Sequence, residues 1–294
     1  MPHKRPFPRI CIALGLPDPA KLLEHARREA DSGETFFEFR LDYLENPEGG
    51  IKVIREILKQ HSDCIILATC RRHQNQGKFN GSVEEQVRIL DLAVNAGAQA
   101  IDLEIESAEA FAEKLNAFRG RAQIIISYHN FETTPPLDAL VRRMTRFPAD
   151  AYKIVTAARK PSDNARVLAL AKAFPRTPLV ILAVGELGFP TRVLSPAFGG
   201  LYTYAAPLNT QGTASGQVSA RLLRHLYRIE KISKAAKVYG VIADPIRTPF
   251  HPPCTTGAFR LAASTPSICR FLSHPCNSGI FSYLPIKYRS PVSA

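Results

Sequence analysis

Eight short apolar runs of β character, alternating with helical patterns from end to end, predict an α/β chain folded as a (β/α)8 TIM barrel around a parallel sheet. The runs are continuously apolar, as in Ile124-Ile125-Ile126 and Val180-Ile181-Leu182, which suits strands covered on both faces. Polar residues recur at their carboxyl ends, where such a barrel assembles its site. A chain of 294 residues exceeds a typical domain, but an α/β barrel of roughly 250 residues folds as one unit. A doubly wound open sheet is the structural alternative, although no GxGxxG follows the first run to mark a dinucleotide site.

The first predicted strand, Arg9 to Leu14, is followed by Asp18, which can cap a helix running through Leu22, Leu23 and Ala26 to stop near Gly33. Thr35 to Arg40 and Ile65 to Cys70 are the second and third strands. Ser82-Val83-Glu84-Glu85 then forms a capping-box pattern ahead of Ile89, Leu90 and Ala93, with Gly97 as the stop. Ala100 to Glu104 and Gln123 to Tyr128 follow, then a helical spacing over Leu137 to Phe147. Ala151 to Thr156, a helix over Asp163 to Phe174, Leu179 to Ala183, Leu201 to Ala205 and a helix over Ser215 to Leu226 complete the set.

A hydrophobic fraction of 45% and a charged fraction of 22% leave enough apolar material for a full core. The net charge of +12 includes five basic residues beyond Asp244, the last acid, so residues 1–244 carry a dispersed +7. With no basic stripe interleaved with aromatics, a pocket for an anionic small molecule fits better than nucleic acid. No apolar run reaches the roughly 18 residues that span a bilayer, so no membrane partner and a cytoplasmic location are expected. Cys11, Cys64 and Cys70 fall in or beside strand runs without CxxC spacing, and Cys254, Cys269 and Cys276 have no histidines at zinc-ligand spacing, so no metal is expected.

Lys153 stands alone in Ala151-Tyr152-Lys153-Ile154-Val155-Thr156, where it either snorkels to water or is chemically employed, since a dry amine can attack a ketone. Its company favours employment. Alternation sends Glu38 and Arg40 to one face of the second strand; the third strand delivers Arg71, the fifth His129, and the loop after the seventh Arg192. Three arginines would press on the lysine by like-charge repulsion and offer a fork to a carboxylate. An iminium on Lys153 would acidify the adjacent carbon, and a neutral histidine suits the proton transfer. Residue chemistry alone therefore points to a Schiff-base lyase or an aldolase. A non-catalytic metabolite sensor needs neither Lys153 nor His129.

These segments are similar to signatures of the type I 3-dehydroquinate dehydratases, over roughly Pro8 to Leu226. Glu38-Phe39-Arg40-Leu41-Asp42 resembles the family's Glu-x-Arg-x-Asp, Thr69-Cys70-Arg71 its Thr-x-Arg, and Ser127-Tyr128-His129-Asn130-Phe131 its Ser-x-His-x-Phe. Gly185-Glu186-Leu187-Gly188 with Arg192 resembles Gly-x-x-Gly-x-x-x-Arg, and Thr213-Ala214-Ser215-Gly216-Gln217 the Ser-Ala-Pro-Gly-Gln loop. The resemblance implies a cofactor-free lyase of the shikimate pathway, converting 3-dehydroquinate to 3-dehydroshikimate as a homodimer. It makes Lys153 the Schiff-base lysine, His129 the general acid/base, Arg192 the partner of the substrate carboxylate, and Glu38, Arg40, Arg71, Thr213 and Gln217 substrate-binding. Ala13 stands where the family often has serine, and Asn75 where it often has an acid, so altered affinity rather than lost chemistry is expected. Gln76-Gly77-Lys78-Phe79 is expected in a lid.

Near Ser233 the pattern changes. The barrel is taken as residues 8–230, with a linker and new strand in 231–248, where Tyr239-Gly240-Val241-Ile242-Ala243-Asp244-Pro245-Ile246 resembles the opening strand of shikimate dehydrogenase. That family's substrate loop and glycine-rich fingerprint do not follow, so no dehydrogenase activity is expected. Residues 249–294 lack acids and periodicity, and are expected to be irregular, disordered text from a reading frame shifted near Arg247; resequencing the gene tests that.

Overall fold

Eight parallel strands form the predicted ring: β1 (Ile10–Leu14), β2 (Phe36–Arg40), β3 (Ile65–Thr69), β4 (Ala100–Glu104), β5 (Gln123–Asn130), β6 (Ala151–Ala157), β7 (Leu179–Val184) and β8 (Thr203–Ala205). The structure is a computed structural model that describes residues 5–208, 212–233 and 236, with the short strands Val238–Tyr239 and Ser267–Ile268. Each strand pairs with its predecessor from β1 to β7, and β8 returns to pair with β1. The ring closes where Leu201 N donates to Leu179 O at 2.8 Å, just ahead of β8. Continuous apolar runs become strands here because both faces are covered: the outer by helices, the inner by side chains from across the ring.

Eight α-helices among the described residues lie outside the sheet: α1 (Pro19–Asp31), α2 (Gly49–Gln60), α3 (Val83–Asn95), α4 (Ile105–Ala110), α5 (Leu137–Met144), α6 (Pro161–Ala173), α7 (Phe189–Phe198) and α8 (Ala220–His225). Asp18 caps α1 by accepting from Lys21 N at 2.9 Å, and Ser82 and Glu85 close the predicted capping box on α3. Two predicted helices shorten. The stretch from Ser215 begins as a loop, since Gly216 has φ +74° and Ser219 is the residue whose side chain caps α8, accepting from Leu222 N at 3.3 Å. The one over Leu137 to Phe147 ends at Met144, where Thr145 N closes the last turn onto Val141 O. Strand ends differ from expectation by up to two residues. No helix among the described residues is long and apolar enough to cross a membrane.

Alternation puts odd-numbered positions of β3, β5 and β6 and even-numbered ones of β2, β4, β7 and β8 inside the barrel. The lower interior is apolar, with Phe36, Ile65, Leu67, Ala100, Ile125, Ala151 and Val180 in one cluster. Phe7, Phe36 and Tyr202 pack against one another beneath it, with ring centroids 5.0–5.5 Å apart. The next inward positions are polar: Glu38, Thr69, Asp102, Ser127 and Lys153, all buried. A polar layer on an apolar plug, at the carboxyl ends of the strands, is the floor of the site.

Of the new strand expected within 231–248, Val238–Tyr239 is described as β9, pairing in parallel with Ser267–Ile268 as β10. The remainder of that strand, Arg247 and the rest of the 249–294 tail lie outside the described residues.

Candidate active site

Lys153 projects from β6 into the barrel with 3% of its surface exposed. Its Nζ donates to Asp102 Oδ2 at 2.8 Å, Tyr204 OH at 2.9 Å and Glu38 Oε1 at 3.1 Å. Beside the arginines expected to press on this lysine, two buried carboxylates flank it. Asp102 also accepts from Ser127 Oγ at 2.6 Å and Arg71 at 3.2 Å, both through Oδ1. Burial pushes the Asp102 carboxyl up, but Lys153 and Arg71 outweigh it and hold the group well below its usual range. Glu38 accepts from Thr69 Oγ1 at 2.9 Å.

The arginines divide into two kinds. Arg40 forms a bidentate pair with Asp42, at 2.8 and 2.7 Å, and lies 4.6 Å over the Tyr43 ring. Arg71 is met by Asp102 and by Glu104, whose Oε1 lies 3.6 Å from its Nε. Arg192 is different. It is 1% exposed, its guanidinium donates to the Ser215 carbonyl at 2.9 Å, its Nε has no hydrogen-bond partner, and no carboxylate pairs with it among the described residues. Burial lowers its pKa to about 10, which still leaves it charged at neutral pH. The sequence places it in a loop; the structure places it in the first turn of α7, because the link from β7 takes only Gly185 and a single 3-10 turn, Glu186–Gly188. A buried cation without a carboxylate partner, facing a cavity, is suited to take an anion.

His129, near the end of β5, stacks on Phe131 with centroids 5.8 Å apart. Part of the ring is open to the pocket, yet both nitrogens are enclosed and unpartnered. Burial, followed by the Arg71 and Lys153 charges, pushes its pKa well below the usual histidine value, so the imidazole is neutral. Asn75, at the expected acid position, instead donates to Glu106 Oε2 at 2.9 Å. Thr213 and Gln217 face each other across the β8–α8 loop, with Gln217 Nε2 donating to Thr213 Oγ1 at 3.4 Å.

All eight residues singled out from the sequence, Glu38, Arg40, Arg71, His129, Lys153, Arg192, Thr213 and Gln217, line one pocket over the polar floor. Sequence reasoning missed Asp102, Glu104 and Tyr204, and gave Gln76 only a place in a lid. The two acids carry a signal of the kind that marks Lys153: alternating charges in the short apolar strand Ala100-Ile101-Asp102-Leu103-Glu104. Tyr204 carries none, since tyrosine is an ordinary strand residue. Gln76 lines the mouth of the pocket from a left-handed backbone, φ +59°.

The family model of Type I 3-dehydroquinase matches residues 10–234. A 3-dehydroquinate dehydratase of Dehalococcoides mccartyi is 34% identical over 225 residues, covering 75% of this chain and 95% of that one. The bifunctional 3-dehydroquinate dehydratase/shikimate dehydrogenase of Arabidopsis thaliana is 31% identical over 243 residues, 81% of this chain and 40% of its own. Among solved structures, the 3-dehydroquinate dehydratase of Geobacillus kaustophilus HTA426 superposes with a TM-score of 0.69 at 25% identity, covering 76% of this chain and 91% of that one.

Proposed function

Because the chain belongs to the type I 3-dehydroquinase family, we propose that its pocket dehydrates 3-dehydroquinate to 3-dehydroshikimate through an imine on Lys153. The enzyme is a type I 3-dehydroquinate dehydratase, acting in the shikimate pathway. The observation that carries the mechanism is the pairing, in one cavity, of a lysine buried in a charged network with a buried arginine that has no carboxylate partner among the described residues. A substrate bearing a carboxylate and a ketone satisfies both.

Arg192 holds the substrate carboxylate, and the ketone carbon lies against Nζ. Once the iminium has formed, it draws electrons from the adjacent C–H bond. The neutral His129 imidazole takes that proton, and the electron pair flows into the iminium as an enamine. The same imidazolium then hands its proton to the hydroxyl on the next carbon, which leaves as water as the enamine pair forms the new double bond. Hydrolysis of the imine returns Lys153 and releases the conjugated enone. The iminium is itself the electron sink, so the reaction needs no metal or cofactor. Arg40, Arg71, Glu38, Thr213 and Gln217 orient the substrate's oxygens. We read the protein as a cytoplasmic homodimer that takes this small molecule as substrate, with no nucleic-acid or membrane partner. The bifunctional Arabidopsis relative supports reading residues 231–248 as a linker and the start of a shikimate dehydrogenase-like unit.

Mixing purified protein with 3-dehydroquinate should give a steady rise in enone absorbance; substrate that binds without that rise would leave only the sensor. Because the pKa of His129 is lowered, its basic form persists below the ordinary value of about 6.5. Turnover should therefore hold as pH falls through 6.5, and an acid limb centred there would place the base on another group.

A further inference from the structure

The hydroxyl of Tyr204, on β8, touches the atom on which the chemistry turns. An ammonium has three N–H groups, and those of Lys153 are matched by three acceptors: Asp102, Tyr204 and Glu38. The Tyr204 hydroxyl in turn donates to Glu38 Oε1 at 3.4 Å. Tyr204 is only 4% exposed and sits on the apolar plug beside Tyr202, at the pocket wall next to Lys153.

We propose that Tyr204 is a further catalytic residue, which with Glu38 carries away the hydrogens that Nζ must shed as the imine forms. The inference rests on the imine reading above. An ammonium and a ketone give an iminium and water, so one hydrogen stays on nitrogen and two leave with the oxygen. The Asp102 contact is the one that stays, because Ser127 and Arg71 hold that carboxylate in place and ionised. The other two contacts converge on Glu38 Oε1.

Glu38 takes the first proton, freeing the lone pair to attack the ketone carbon while the C=O π pair moves onto oxygen. That proton passes to the alkoxide, giving a carbinolamine. The second leaves nitrogen through the Tyr204 hydroxyl, which accepts one proton as it gives its own to Glu38. It then reaches the carbinolamine oxygen, which departs as water as the nitrogen pair forms C=N. Burial and the Glu38 charge push the Tyr204 phenol well above its usual value, so it begins and ends protonated.

Tyr204→Phe keeps the ring and removes the oxygen. In rapid-quench experiments with borohydride and 3-dehydroquinate, adduct formation on Lys153 should slow by on the order of 10²-fold. Affinity for 3-dehydroshikimate and Tm should stay close to wild type, and the solvent deuterium isotope effect on adduct formation should shrink. If the variant forms adduct at the wild-type rate, Tyr204 is a bystander and the imine reading survives; if wild type forms none, both fall. Should the variant not fold, a proton inventory of the same step in wild type decides: a curved dependence on deuterium fraction supports two protons in motion, and a straight line overturns the relay.

Discussion

Lys153→Ala abolishes turnover, lowering it by at least ~10⁴-fold, because no other amine among the described residues lines the pocket to form an imine. Borohydride with substrate adds the mass of one reduced substrate residue to wild type and nothing to the variant, as intact-protein mass spectrometry will read. Binding is expected to survive, since the carboxylate contact lies on Arg192, on a different element. The alanine variant also strips Glu38 and Asp102 of their shared cation. Asp102 keeps Ser127 and Arg71, and Glu38 keeps Thr69, so the fold should hold. Measurable turnover by the variant would end the imine reading and return the pocket to acid/base chemistry alone.

Asp102→Asn should cause a large loss of stability together with a loss of activity. The substitution is nearly isosteric, so it removes a charge without opening a cavity, and it leaves Lys153 and Arg71 short of a buried counter-ion. Breaking a buried pair from one side costs roughly 3–5 kcal/mol. Glu38 and Glu104 remain close to the two cations, which favours the lower figure. At roughly 2–4 °C per kcal/mol for a domain of this size, Tm should drop by about 10 °C. The native pKa of Asp102 is depressed, so its contribution is present above the unfolded value of about 3.9 and is lost only as pH falls through the lower native value. The gap in Tm between wild type and variant should therefore be constant from pH 5 to 8. A gap that closes anywhere in that window would mean Asp102 does not carry its charge there.

Much of this architecture is legible in the sequence because it is written in periods. The eight apolar runs and the caps at Asp18 and Ser82 are local signals, and each marks an element within one or two residues. Inward placement of Glu38 and Arg40 follows from alternation alone. The early start assigned to α8 arose because apolar spacing continues through Val218 and Ala220, while chain direction there is set by Gly216 at φ +74°, a backbone state that spacing does not encode. Arg192 was expected in a loop because the start of α7 carries no side-chain cap.

The sequence by itself determined which chemistries were available: a lone amine in an apolar strand, an imidazole on the neighbouring strand, and three arginines on one rim. It also determined the ring of alternating elements that carries them. Only the tertiary structure decided how those charges are balanced. Lys153 meets Asp102 and Tyr204 from 51 residues away on either side and Glu38 from 115, and the same folding leaves Arg192 without a carboxylate partner among the described residues. Charge compensation depends on distances of about 3 Å between strands far apart in the chain, and a one-dimensional pattern holds no record of such distances until the barrel closes.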